Sequence, residues 1–157
     1  MNNQFIYTTS IGKIGIREDG QSITHVYLPN QVDLLDHPDN ETALIKEAGR
    51  QLKAYLDGQL KQFYLPLIPA GTPFMQDVWQ ALLDIPYGCT CTYGDIAKAV
   101  GRPKAFRAVG MANNRNPIAI IIPCHRVIGA DGNLVGYGGG LDLKTHLLAL
   151  EAQTPIK

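Results

Sequence analysis

The first third of the chain alternates in short runs. Phe5 to Thr9, Gly12 to Arg17 and Ser22 to Leu28 carry apolar, β-branched or aromatic residues at strand spacing, and Gly12, Glu18-Asp19-Gly20 and Pro29-Asn30 punctuate them as turns. This pattern predicts a small antiparallel sheet. Between Thr42 and Leu56 the period lengthens: Leu44, Ile45, Ala48, Leu52, Tyr55 and Leu56 fall close to one helical face, and Asp57-Gly58 ends it. Leu65 to Pro73 then holds three prolines and a glycine in nine residues, which predicts a linker.

Beyond it the pattern is helical. Thr72 is placed to cap a helix with Pro73 at its first position and Phe74, Val78, Trp79, Leu82 and Leu83 as its apolar stripe. Thr92 caps a short helix from Tyr93 to Val100 that stops at Gly101, and Arg102-Pro103 opens another from Lys104 to about Asn113. Two short helices around a glycine turn, the second one basic, outline a helix-turn-helix. Ile118 to Ile122, an apolar run between two prolines, predicts a buried strand that delivers Pro123-Cys124-His125-Arg126-Val127 at its end. Asp142 is the expected cap of a last helix with Leu143, Leu147, Leu148 and Leu150 as its contacts. Sheet first and helices after predict a mixed α/β chain of the α+β kind, divided into residues 1–65, a linker over 66–73, and 74–157.

Composition narrows the functional classes. The 157 residues are 45% hydrophobic and 18% charged, as in a globular protein. The longest apolar run is far below the roughly 20 residues that cross a bilayer, so no membrane role is expected. The opening MNNQFIYTTS has no basic segment followed by an apolar stretch, which predicts a cytoplasmic protein. Fourteen basic side chains balance fourteen acidic ones, but they are not evenly spread. Lys98, Arg102, Lys104, Arg107, Arg115 and Arg126 lie between Ile96 and Ala130, where there is no Asp or Glu at all. That local patch could meet nucleic acid or be no more than a solvated face.

The three cysteines suggest reduced thiols rather than a disulfide framework. Cys89 and Cys91 are separated by one residue, short of zinc spacing, so no metal site is expected. An ordinary thiol ionises near pH 8.5, so Cys124 would need a neighbouring base or positive charge to act as a nucleophile. His125 is adjacent in sequence, yet successive strand residues face opposite ways, so the two would meet only if the chain turns or a water intervenes. The pentapeptide by itself leaves open a structural thiol beside a satisfied histidine.

Pro123-Cys124-His125-Arg126-Val127, with Asn116-Pro117 before it, Gly136-Tyr137-Gly138-Gly139-Gly140-Leu141 after it and Pro103-Lys104-Ala105-Phe106-Arg107-Ala108-Val109-Gly110 upstream, resembles the O6-alkylguanine-DNA alkyltransferases, the methylated-DNA-protein-cysteine methyltransferases. The resemblance spans about Phe74 to Glu151. It implies a small ribonuclease-H-like amino-terminal domain followed by a helix-turn-helix, winged-helix-like alkyltransferase domain. The implied reaction is direct DNA repair: O6-alkylguanine is flipped out of double-stranded DNA and its alkyl group passes irreversibly to Cys124, once per molecule.

The same resemblance implies that His125 takes the Cys124 proton through a water with Glu151 orienting the imidazole, that Tyr93 donates to the departing guanine, and that Asn116 ties the recognition helix to the segment bearing Cys124. Arg107 would fill the vacated stack from the minor groove. Ala105, Ala108 and Gly110 would allow close approach, and Lys104, Arg102 and Arg115 would meet phosphates. Asn113, Val135, Gly136, Tyr137 and Gly138 would join Tyr93 in lining the base pocket. Phe106 departs from the pattern, being alanine in the human member; its bulk either enters the core or alters how closely the helix reaches the groove. No cofactor is implied, since the protein is itself the acceptor, and a monomer is expected. Two other readings remain: a lesion-binding relative without alkyl transfer, against which Cys124 speaks, and a helix-turn-helix transcription regulator.

Overall fold

The computed structural model describes residues 2–134 and 136–153. They form two compact units: the first takes in the chain to Ala70 together with Pro117–Ile121, the second Gly71–Asn116 and the chain from Ile122 onward.

In the first unit β1 (Asn3–Thr9), β2 (Gly12–Glu18) and β3 (Ile23–Tyr27) make an antiparallel sheet in that order. The register runs from Asn3 opposite Glu18 to Thr9 opposite Gly12, and Gly12 takes φ +110° at the turn, a backbone state open to glycine. Helix α1 (Ala43–Leu56) begins where Thr42 accepts a hydrogen bond from the Ile45 amide. Its face of Ile45, Ala48, Leu52 and Tyr55 is buried in the same unit as Ile14, Ile16, Ile23 and Val26 of the sheet. Such a residue contributes about 1.5–3 kcal/mol on leaving water. Gly49 permits the close fit of helix on sheet, because a Cβ there would lie 2.7 Å from the Tyr7 ring. Buried Gln51 serves Tyr64 like a strand neighbour, accepting from its amide at 2.9 Å and donating to its carbonyl at 3.2 Å.

Two segments far away in sequence extend β3. Ile23 pairs in parallel with Leu67, so the proline-rich stretch is partly engaged, and Val26 pairs in parallel with Ile118. Ile118–Ile122 is buried throughout, but among these residues the expected strand does not form. Ile120 sits at φ +72°, a strained state for a β-branched residue, and two-residue turns close from Ile121 N to Ala119 O and from Cys124 N to Ile122 O. Apolar character dictated burial here; the pairing partners allow only a single bridge to β3.

The second unit holds α2 (Pro73–Leu83), β4 (Cys91–Thr92), α3 (Tyr93–Ala99), α4 (Phe106–Asn114), β5 (Val127–Ile128) and α5 (Leu141–Gln153). Thr72 caps α2 with Pro73 at its start, and Thr92 makes a reciprocal capping box with Asp95 at the head of α3. α3 stops at Val100 before Gly101, whose φ is +77°. The expected start of α4 at Lys104 shifts to Phe106, where Ala105 offers no capping side chain. The last helix begins at Leu141, so Asp142 lies within its first turn rather than capping it. Trp79 ties α2 to α4 by donating from Nε1 to the Ala112 carbonyl at 2.9 Å. The parallel pair β4–β5, with Cys91 opposite Val127 and Thr92 opposite Ile128, had no signature in the sequence. No helix among the described residues is long and apolar enough to cross a membrane.

Candidate active site

The site assembles wholly within the second unit. Cys124 to Arg126 form one turn of 3-10 helix. With about three residues per turn, successive side chains leave it roughly 120° apart, so Cys124 and His125 do not point to opposite faces as they would in an extended strand. Cys124 is 5% exposed and His125 fully buried. Following this turn, β5 lies beside β4, so the sheet sets Thr92, the cap of α3, and hence Tyr93 next to the cysteine-bearing turn.

Glu151 of α5, 2% exposed, gathers the charges. Its Oε2 is 2.7 Å from His125 Nε2; Arg126 donates from Nε to Oε1 at 2.8 Å and from Nη2 to Oε2 at 3.0 Å; the Gly88 amide adds a bond of 3.2 Å. Arg126 also donates to the Ile85 carbonyl at 2.7 Å. A carboxylate can only accept, so His125 Nε2 carries hydrogen and Nδ1 is left as the basic nitrogen of the neutral ring. Burial holds the imidazole below its ordinary pKa, opposed by the Glu151 carboxylate.

Burial pushes the Cys124 thiol up to about 11, against the lowering influence of the Asn116 side-chain hydrogen bond and the Lys144 charge. Asn116 also donates to the Ile122 carbonyl at 2.8 Å, so it clasps the neck of the 117–121 excursion just before the cysteine. Asn113 of α4, 1% exposed, donates to the Cys124 carbonyl at 3.3 Å. Its Oδ1 and the Tyr137 hydroxyl are buried without a hydrogen-bond partner among the described residues. Tyr93 and Tyr137 both have raised pKa values, from burial first and then nearness to Cys124, so both phenols are protonated donors at neutral pH. Gly136 takes φ +53° and Gly138 is exposed in the same loop; Val135 lies outside the described residues.

Arg102, Lys104, Arg107 and Arg115 are all exposed on this unit, as is Ala108, whereas Ala105 and Gly110 are half-buried. Gly110 faces Tyr93: a Cβ on it would lie 3.8 Å from the ring. Phe106 points outward, 53% exposed, which removes the option that its bulk enters the core. Among the described residues no group of three His, Cys, Asp or Glu side chains could hold a metal ion.

Sequence reading missed Lys144 and the structural part of Arg126. Lys144 is fully buried, with Nζ donating to Val127 O at 2.6 Å and to Gly136 O at 3.4 Å, and so joins β5 to the glycine loop. A signal existed: Lys144, Leu147 and Glu151 recur at three and four residues on α5, so a buried leucine between them placed both charged groups on the inward face.

A sheet-bearing unit, a helical unit with exposed cations, and a buried cysteine–histidine–glutamate cluster define the class, and the chain belongs to the 6-O-methylguanine DNA methyltransferase family. Its DNA binding domain matches residues 73–153 and its ribonuclease-like domain residues 5–69. A methylated-DNA–protein-cysteine methyltransferase of Methanosarcina acetivorans is 52% identical over 149 residues, 93% of this chain and 96% of that protein. The constitutive methylated-DNA–protein-cysteine methyltransferase of Bacillus subtilis is 46% identical over 159 residues, 96% of each. Among solved structures, Mycobacterium tuberculosis OGT in complex with DNA superposes with a TM-score of 0.90 at 45% identity, covering 97% of this chain and 94% of that one.

Proposed function

We propose that this protein repairs DNA directly, taking the alkyl group from O6 of a guanine flipped out of a duplex and keeping it on Cys124. The observation that carries the reading is a buried thiol on the same 3-10 turn as a histidine whose ring is oriented by a buried carboxylate. Burial keeps the thiol protonated at neutral pH, so its proton leaves during the reaction. His125 Nδ1 accepts it, through a water, and Glu151 meets the charge that develops on the ring. Sulfur attacks the alkyl carbon, the S–C bond forms as the C–O6 bond breaks, and the guanine leaves with a proton or hydrogen bond from Tyr93. Tyr137, with its hydroxyl uncommitted, is a second donor, and Asn113 Oδ1 is an acceptor for the base's N–H groups. Gly136 and Gly138 complete the pocket.

Arg107 occupies the gap left by the flipped nucleotide, and Arg102, Lys104 and Arg115 neutralise phosphates, while Ala105, Ala108 and Gly110 keep α4 slim at the minor groove. Residues 1–65 act as the ribonuclease-H-like support, 66–73 as the connection and 74–157 as the DNA-binding and alkyl-transfer part. No step of this mechanism calls for a second copy of the chain, in keeping with a monomer that meets its DNA substrate in the cytoplasm. The thioether is stable, so each molecule acts once. Cys124 disfavours a lesion-binding protein that transfers nothing.

Intact mass after incubation with a duplex containing O6-methylguanine tests this. The expected result is a gain of one CH2 that is absent in Cys124→Ala; a duplex bound with no change of mass overturns the proposal.

A further inference from the structure

Helix α4 presents an outer face that its own fold does not explain. Val109, Ala112 and Asn113 are buried, whereas Phe106 is 53% exposed and Met111 56% exposed. Phe106 immediately precedes Arg107, and Met111 stands one turn beyond Arg107 at i+4, so around the helix Arg107 falls between the two exposed apolar residues. Around them are exposed Arg102, Lys104 and Arg115, and from Ile96 to Ala130 there is no acidic residue. A face that is both apolar and cationic fits a polyanion with apolar walls. The minor groove of duplex DNA is such a surface, with phosphates at its rims and deoxyribose along its sides, and proteins that open it insert Phe or Met between base steps.

We propose that Phe106 and Met111 are paired apolar wedges that enter the minor groove on either side of Arg107 and unstack the base step beside the extruded nucleotide. This rests on the DNA-repair reading above and adds a division of labour to it. Arg107 fills the hole after the base has left; the wedges lower the cost of making the hole, because part of the stacking is already lost when the helix docks. The small residue Gly110, which falls between Phe106 and Met111 around the helix, then serves as clearance between the wedges.

The test uses the full chain and single-turnover alkyl transfer from two substrates: a duplex with O6-methylguanine flanked by 2-aminopurine, and a free O6-alkylguanine base. Phe106→Ala, Met111→Ala and the double variant are compared with wild type. The double variant is expected to lower the ratio of duplex rate to free-base rate by about tenfold or more and to abolish the 2-aminopurine fluorescence rise on binding. The free-base rate also reports whether the variant is folded. An unchanged or raised ratio overturns the wedge role, and so does a concentration-dependent dimer that the double variant loses, which would assign the face to a second copy. If wild type itself takes no alkyl group from either substrate, it is the repair reading that fails.

Discussion

At the scale of single residues, the site is governed by what burial does to charge. A thiol pushed up to about 11 reacts faster as pH rises, so trapping of Cys124 by iodoacetamide, followed on its own peptide by mass, should climb steeply through pH 8 to 11. Removing the Asn116 amide in Asn116→Ala takes away the hydrogen bond that lowers this pKa, and the trapping curve should move to higher pH. A curve already flat at pH 8 would show that the thiol is ionised at rest. Tyr93 is held protonated by burial, and loss of its hydroxyl in Tyr93→Phe should slow single-turnover transfer by about 100-fold, typical of lost proton-transfer assistance. Glu151→Gln leaves Arg126 buried with a neutral partner. Breaking a buried ion pair costs about 3–5 kcal/mol, so a large fall in the denaturation midpoint should accompany the loss of transfer.

Individual elements reflect how far local pattern reaches. Two helix caps were legible because their chemistry is local: Thr72 and Thr92 each accept the amide three residues on, as the spacing demands, and Thr42 does the same unannounced. The close approach of α1 to β1 was not legible, since Gly49 shows its purpose only against Tyr7. Gly49→Ala should overpack that contact and cost about 1–3 kcal/mol in chemical denaturation, with alkyl transfer per folded molecule preserved. Ile118–Ile122 read as a strand because β-branched apolar residues favour one, yet strand geometry needs a partner along its length, and here only Ile118 finds one in β3. On α4, Arg107→Ala should slow transfer from duplex far more than from free base, because filling the stack matters only when there is a stack. Equal losses on both substrates would contradict that role.

For the molecule as a whole, the decisive quantity is stoichiometry. Because the acceptor is a side chain and the product a thioether, transfer from excess damaged duplex should stop at one alkyl group per chain, measured by intact mass, and never turn over. Cys89 and Cys91, one exposed and the other half-buried, should remain unmodified, since neither shares the His125–Glu151 cluster.

The linear order of residues determined the first three strands, the helices and the basic stretch, and its motifs from Pro103 to Gly110 and from Asn116 to Leu141 carried the resemblance that implies the chemistry. Those features are encoded by neighbours a few positions apart, which is the range over which periodicity, capping and motif spacing act. Only the tertiary structure decided that the cysteine rides on a 3-10 turn, that Glu151 serves His125 and Arg126 together from twenty-five or so residues away, that β4 and β5 bring Tyr93 to the thiol, and that Lys144 is buried while Phe106 is not. Pairing between distant segments depends on which surfaces packing leaves to be satisfied, and that is a property of the folded whole.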